Sequence, residues 1–443
     1  MDSGQIKKIS FAGLLVTLGI IFGDIGTSPL YTFQTILADG GQATAQLVLG
    51  GISCVFWTLT LQTTFKYIII TLQADNKGEG GIFSLYALVK QYGSKLAIPA
   101  IIGACALLAD GIITPPISVT SAIEGLGNMK GMEKIIVPGN DLVIFIVLFI
   151  ILSLFIFQRF GTKVIGGAFG PIMFVWFSMM GILGLHQIMY YPQIFKALNP
   201  VYAYQLLVHH PEGFWLLGAV FLCTTGAEAL YSDLGHCGRK NIRVSWIFVK
   251  TTLVLNYLGQ GAWVLMQGKP DLGNVNPFFA IVPHGFLFPS IIIATAASII
   301  ASQALISGSF TLISEAISLN FWPRVTVKYP TSVRGQIYIP SINWFLCIGC
   351  FAVVFYFKTS ANMTTAYGFS ITIAMLITTI LMFFFLKNVK KIPLAIAILT
   401  VSIFATVELS FFVANTVKLL NFSFFLVFEI LLIFTMYIWH NAR

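Results

Sequence analysis

Three carboxylates sit inside long apolar runs: Asp24 in "GDIGTSPLY" (23–31), Asp110 in "ADGIITPPISV" (109–119) and Glu228 in "CTTGAEALY" (223–231). Hydroxyls accompany them. Thr27, Ser28 and Tyr31 follow Asp24, and Thr114 and Ser118 lie at i+4 and i+8 from Asp110, close to one helical face. Pro29 removes the helical donor for the Ile25 carbonyl, and Pro115 and Pro116 do the same for Gly111 and Ile112. Gly23 and Gly26 permit dihedrals outside the helical region. Carboxylates, hydroxyls and freed carbonyls gathered at a helix break are ligands for a small hard cation stripped of water. No basic residue is expected near them in the helix interiors. The competing reading is a set of kinked packing helices whose acids are bonded to neighbouring backbone.

The elements that must position these groups follow from composition. The chain has 443 residues, 57% hydrophobic and 9% charged, with a mean hydropathy of +0.88. Roughly 25% charged is usual for a soluble domain, so that class is excluded. Apolar runs near the length of a bilayer crossing lie at 11–37, 44–73, 95–123, 141–157, 164–189, 212–235, 243–266, 286–316, 341–357, 362–386, 392–413 and 420–439. The pattern predicts an all-α integral membrane protein with twelve transmembrane helices, the third and eighth tilted or extended. A carboxylate at mid-span costs about 2.5 to 3.5 kcal/mol and faces a bundle interior or a water-filled cavity. Unpaired carbonyls at that depth are tolerated only in the same places.

Lys and Arg in the connections set the orientation. With the N-terminus inside, seventeen fall on the inner side, among them Lys7, Lys8, Lys77, Arg159, Arg239, Lys240, Arg324 and Lys387. Only Lys130, Lys134, Lys196, Lys269, Lys358 and Lys418 fall outside. Both termini are expected in the cytoplasm, with Lys66 and Lys250 left over near helix ends. The net charge of +9 is thus a topology signal that needs no nucleic-acid partner. "FAGLLVTLGIIFG" after Lys7 and Lys8 has no small-residue cleavage site and reads as an uncleaved first helix. Cys347 and Cys350, spaced CxxC within an apolar helix and without a second pair, read as packing. The six histidines form no ligand set. "NKGEGG" (76–81) reads as a glycine-rich turn, and Asp233 and His236 as part of a loop salt network. Glu315 and Glu408 stay unassigned. Tyr367 in "TAYGFSI" is a polar group beside a glycine, by itself more often packing than ligand.

A second break gives the acids a pattern. Gly226, Leu230 and Tyr231 repeat the offsets of Gly26, Leu30 and Tyr31 two hundred positions later. Polar, glycine-interrupted segments at corresponding places in two halves point to an inverted-repeat transporter. The first repeat would be 11–189 and the second 212–386, with two further helices over 392–439. Three acids around one monovalent cation leave surplus charge, so at least one should be protonated during part of a cycle. That is the physical basis for proton coupling.

The blocks "GDIGTSPLY", "ADNKGEGG" (74–81), "ITPPISV" (113–119), "TTGAEALYSDLGH" (224–236), "NYLGQGA" (256–262), "IASQALISG" (300–308) and "GQIYIP" (335–340) run along nearly the whole chain. Together they resemble the potassium uptake permease family, KUP/HAK/KT, of the amino acid-polyamine-cation superfamily. The resemblance implies a LeuT-type 5+5 inverted repeat with broken helices 1 and 6. It also implies proton-coupled potassium import across the plasma membrane, with K+ and H+ as substrates, no cofactor and no enzyme activity. Carried over, Asp24, Tyr31, Asp110, Thr114, Ser118, Thr225 and Tyr367 would form the potassium site, and Glu228 would be the proton-coupling carboxylate. Pro116 stands where the family usually has alanine. Family members usually carry a C-terminal cytosolic domain, absent from this chain, where homodimer contacts and control by a cytosolic nucleotide would reside. The alternatives are an amino-acid or polyamine transporter of the same fold, an uncoupled potassium channel or uniporter, for which no TVGYG-like filter appears, and a membrane sensor.

Overall fold

The computed structural model describes residues 9–76, 78–160, 166–232, 234–271, 275–330, 337–419 and 423–442. Lys7, Lys8, Lys77, Asp233, Gly335 and Gln336, and the side chains of His236 and Lys418, lie outside the described residues. Among the described residues the chain is helical throughout, with two isolated β-bridges, Asn76 to Glu79 and Lys328 to Tyr338. Only helices and closed barrels satisfy every backbone group in hydrocarbon, so composition and helix content agree.

Among the described residues seven helices are long and apolar enough to cross a bilayer: Ala45–Gln73, Ala97–Asn128, Gly167–Tyr190, His284–Ser318, Pro340–Phe357, Ser360–Val389 and Leu394–Val417. An eighth is the pair Phe11–Ile20 and Gly23–Gly40 taken as one span, bent by 70°. Asp141–Phe157 and Leu426–Asn441 are apolar but shorter. The sixth expected run is cut into short pieces, Leu217–Val220, Phe221–Thr224 and Ala227–Ser232, none of them long enough to cross by itself. The seventh lies in the helix Arg239–Gln267, whose basic first turn and buried Asn256 and Gln260 dilute its apolarity.

Backbones come close where glycines meet. A Cβ on Gly259 would stand 2.4 Å from the Cα of Gly184, so Arg239–Gln267 and Gly166–Tyr190 touch backbone to backbone. Small residues permit such approach where lipid supplies no hydrophobic drive between helices. Ala97–Glu124 stays α-helical through Pro115 and Pro116 and is buried over most of its length. Ala45–Gln73 changes character midway: α-helical to Thr58, it widens to π-helical turns over Leu59–Ile70. Such turns recur at functional sites.

Candidate cation site

The first break does not fall at Pro29. The chain bends at Ile21 and Phe22, and Pro29 sits in the first turn of a short 3-10 stretch, Ser28–Leu30, where its missing N–H costs little. Asp24 therefore rides on the first turn after the bend. The second break lies at Thr225 and Gly226, where Gly226 adopts φ +82°. A Cβ at Gly226 would meet Asp24 Cβ at 2.8 Å, Asp24 Oδ2 at 2.9 Å and Ile25 N at 2.9 Å. Glycine thus lets the second break close directly onto the first.

Across this seam the hydroxyls join. Ser28 Oγ lies 2.6 Å and Tyr31 OH 3.2 Å from Thr225 Oγ1, and Thr27 Oγ1 lies 3.3 Å from Ser118 Oγ. Thr114 Oγ1 donates to Asp110 Oδ1 at 2.5 Å. Asp110 is near enough to Asp24 for its charge to act there. Tyr367 lies within reach of the charges of Asp110 and Asp24, and its hydroxyl makes no hydrogen bond of ordinary geometry among the described residues. The structure thus brings together Asp24, Tyr31, Asp110, Thr114, Ser118, Thr225 and Tyr367, all buried. Both carboxyl oxygens of Asp24 lack a hydrogen-bond partner there although the residue is only 3% exposed. A buried polar group normally has such a partner. A cavity of about 30 Å³, room for one water, adjoins Asp110 and reaches Ser232 and Ser309.

Other carbonyls of the first broken segment accept from side chains. Trp176 Nε1 donates to Gly26 O at 2.9 Å, Gln260 Nε2 to Pro29 O at 3.2 Å and Asn276 Nδ2 to Leu30 O at 2.8 Å. Thr27 Oγ1 and Ser28 Oγ both donate back to Asp24 O. Several oxygens of the broken segment are therefore tied by side chains from distant helices, which fixes the break. Cys350 Sγ reaches Gly111 O at 3.9 Å, a weak contact.

Glu228 stands apart from this cluster. Tyr67 OH donates to its Oε1, and Thr378 Oγ1 to its Oε2 at 3.1 Å. Lys66 corrects two expectations: it is wholly buried rather than at a helix end, and it brings a cation beside the acids. Its Nζ pairs with Glu408 Oε1 at 2.5 Å, both side chains 0% exposed, and donates to Tyr67 OH at 3.1 Å. Thr379 Oγ1 completes Glu408 at Oε2, 2.7 Å away. Tyr67 and Thr378 escaped the sequence reading, which left Glu408 unassigned and set Lys66 near a helix end. The signal was present, since a lysine inside the 44–73 run is as costly as the carboxylate at position 24.

The remaining groups hold the scaffold. Ser84 Oγ donates to Glu315 Oε1 at 3.2 Å. The 74–81 turn packs on the second break: Tyr231 OH donates to Ala74 O at 2.8 Å, and a Cβ on Gly80 would meet Tyr231 O at 2.0 Å. Arg243 donates to Ile68 O and Ile69 O. All six cysteines are buried and unbridged. No cluster of His, Cys, Asp and Glu suited to a resident metal occurs among the described residues.

A family model described as the K+ potassium transporter integral membrane domain matches residues 11–443. The chain belongs to that family. Among its relatives, the probable potassium transport system protein Kup of Flavobacterium johnsoniae is 56% identical over 99% of this chain and 66% of its own length. Proteins of the same name from Cytophaga hutchinsonii and Clostridium perfringens are 55% and 49% identical over 99% of this chain and 66% and 67% of theirs. The chain thus spans about two thirds of the length of the curated relatives it matches. Two crystal structures of a manganese transporter from Eremococcus coleocola, one bound to an aromatic bis-isothiourea compound and one a point variant, share its fold. TM-scores are 0.51 for both, at 15% and 14% identity, covering 97% and 98% of this chain and 92% and 96% of theirs. At that identity the likeness concerns the fold alone.

Proposed function

We propose that this family member imports potassium across the plasma membrane by symport with protons, through alternating access, with both termini in the cytoplasm. The observation that carries the reading is Asp24: a buried carboxylate without a donor, set among the hydroxyls of Ser28, Tyr31, Ser118 and Thr225 where two broken segments meet. Oxygen ligands of that kind replace the hydration shell of a monovalent cation. Asp24, Tyr31, Asp110, Thr114, Ser118, Thr225 and Tyr367 would hold the ion.

Charge arithmetic separates the roles of the acids. Lys66 balances Glu408, so Glu228 is the surplus acid of its cluster and the natural proton carrier. In the outward-facing state potassium would settle beside Asp24 and Asp110 while Glu228 takes a proton. Rocking of the broken segments would then open the site inward, with the cavity between Asp110 and Ser232 as the start of the exit. Each charge moved gains about 2.3 kcal/mol per 100 mV of inside-negative potential. An inverted repeat of 11–189 and 212–386 with broken helices 1 and 6, plus 392–439, is consistent with two breaks two hundred residues apart that face each other through Gly226. An amino-acid substrate is disfavoured, because the basic side chain beside these acids, Lys66, is already engaged by Glu408.

The test is potassium uptake into proteoliposomes with an imposed pH gradient, comparing the wild type with Asp24→Asn and Glu228→Gln. Potassium-dependent proton entry lost in both variants is expected. Potassium movement without protons, unchanged in Glu228→Gln, would leave a uniporter or channel.

A further inference from the structure

The donor and acceptor inventory around Glu228 is restrictive. Lys66 has three N–H donors and no acceptor. They go to Glu408 Oε1 at 2.5 Å, to the Met375 carbonyl at 2.9 Å and to the Tyr67 phenol oxygen at 3.1 Å. A phenol has one proton, and since the Tyr67 oxygen already accepts from Lys66, its own proton is directed at Glu228 Oε1. That oxygen of Glu228 is an acceptor in this arrangement. The other, Oε2, meets the hydroxyl of Thr378, a rotor that donates to a carboxylate and accepts from a carboxylic acid equally well. Lys66 and Tyr67 lie on the π-helical turns, while Thr378 and Thr379, neighbours on Ser360–Phe384, serve Glu228 and Glu408 respectively. The titratable groups facing Glu228 are Lys66, Tyr67, Glu408 and Tyr231, with Glu315 and Asp75 beyond Tyr231.

We propose that Lys66 is a positioning residue for the proton site: by holding Tyr67 as a fixed donor to Oε1, it confines loading and release of the proton to Glu228 Oε2, where the Thr378 hydroxyl turns from donor to acceptor. The inference rests on the reading of Glu228 as the coupling acid. It gives the buried Lys66–Glu408 pair a task beyond packing. An ion pair in an apolar interior is often no more stabilising than well-packed hydrophobic residues, so stability alone is a weak reason for it. The pair is neutral as a unit, and Glu228 beside it is presented with a single open oxygen.

The experiment is potassium-driven proton uptake by the full chain in proteoliposomes across a pH series. It compares wild type, Tyr67→Phe, the charge-neutral double variant Lys66→Met with Glu408→Met, Thr378→Ser and Thr378→Val. Loss of a hydrogen bond to a charged carboxylate raises its proton affinity. Tyr67→Phe is therefore expected to move the half-maximal pH of proton uptake upward by about one to two units. The double variant frees the Tyr67 proton to rotate and should shift the midpoint the same way by less, with the potassium KM changed by less than about twofold. Thr378→Ser should keep wild-type coupling and Thr378→Val should lose it. If Tyr67→Phe and the double variant lower only the maximal rate or the amount of folded protein, with the wild-type midpoint kept, the pair is a clamp and the proposal is overturned. A wild type that takes up potassium without any protons would instead remove the symport reading beneath it, so the two failures are distinguishable.

Discussion

Gly226→Ala probes the seam between the two breaks most directly. An L side chain at φ +82° costs about 1 to 2 kcal/mol in backbone strain. The added methyl would stand 2.9 Å from Ile25 N, a backbone atom that cannot rotate away, as well as against Asp24. Overpacking of that kind costs about 1 to 3 kcal/mol. Together the effects oppose closure of the break by about 2 to 5 kcal/mol, or well over tenfold in the closed population. The assay is potassium uptake at a series of potassium concentrations, normalised to folded protein by size-exclusion chromatography in detergent. Gly268→Ala is the control: its φ is +60°, but nothing lies within 4 Å of the added Cβ, so it carries the backbone strain without the contact. A rise in potassium KM or a fall in rate of more than tenfold in Gly226→Ala, with Gly268→Ala near wild type, is expected. Equal behaviour of the two variants would refute the claim that contact between Gly226 and Asp24 shapes the site.

Other perturbations separate ligand, scaffold and packing. Asp24→Asn keeps the shape and removes the charge, and should lower uptake at limiting potassium at least tenfold while leaving the folded yield unchanged, as read by uptake and chromatography together. Trp176→Phe removes the donor to the Gly26 carbonyl and should cost about 1 kcal/mol, roughly a fivefold loss of uptake. Gly80→Ala drives a methyl into the Tyr231 carbonyl and should abolish folded yield or uptake, which a thermal melt would sort. Replacing Cys347 and Cys350 together by alanine should leave uptake within about threefold of wild type, because the thiols are unbridged and the hydrogen bond that Cys350 makes, to Gly111 O, is weak.

Much of the site was legible from composition and local pattern. A carboxylate amid apolar residues is so costly in hydrocarbon that Asp24, Asp110 and Glu228 announce themselves, and the i, i+4, i+8 spacing puts Thr114 and Ser118 beside Asp110 before any fold is known. The same penalty applies to Lys66. It went unused because a long side chain near an expected helix end is normally free to snorkel to the interface, and only burial in the bundle shows that this one does not. Where the first segment bends is likewise a matter of packing. Pro29 is the obvious breaker, yet it finds a tolerated place in a 3-10 turn, and the bend falls at Ile21 and Phe22.

What the chain by itself determined is the class of solvent, the helical backbone and the set of charged groups that hydrocarbon will not accept alone. These follow from transfer free energies and local geometry, which are properties of residues and their near neighbours. Which groups answer one another was decided only in three dimensions. Ser28 meets Thr225 across 197 positions, Lys66 meets Glu408 across 342, and Trp176 caps Gly26 across 150. A buried polar group must be satisfied but does not specify by whom, and the partner is chosen by how the helices pack.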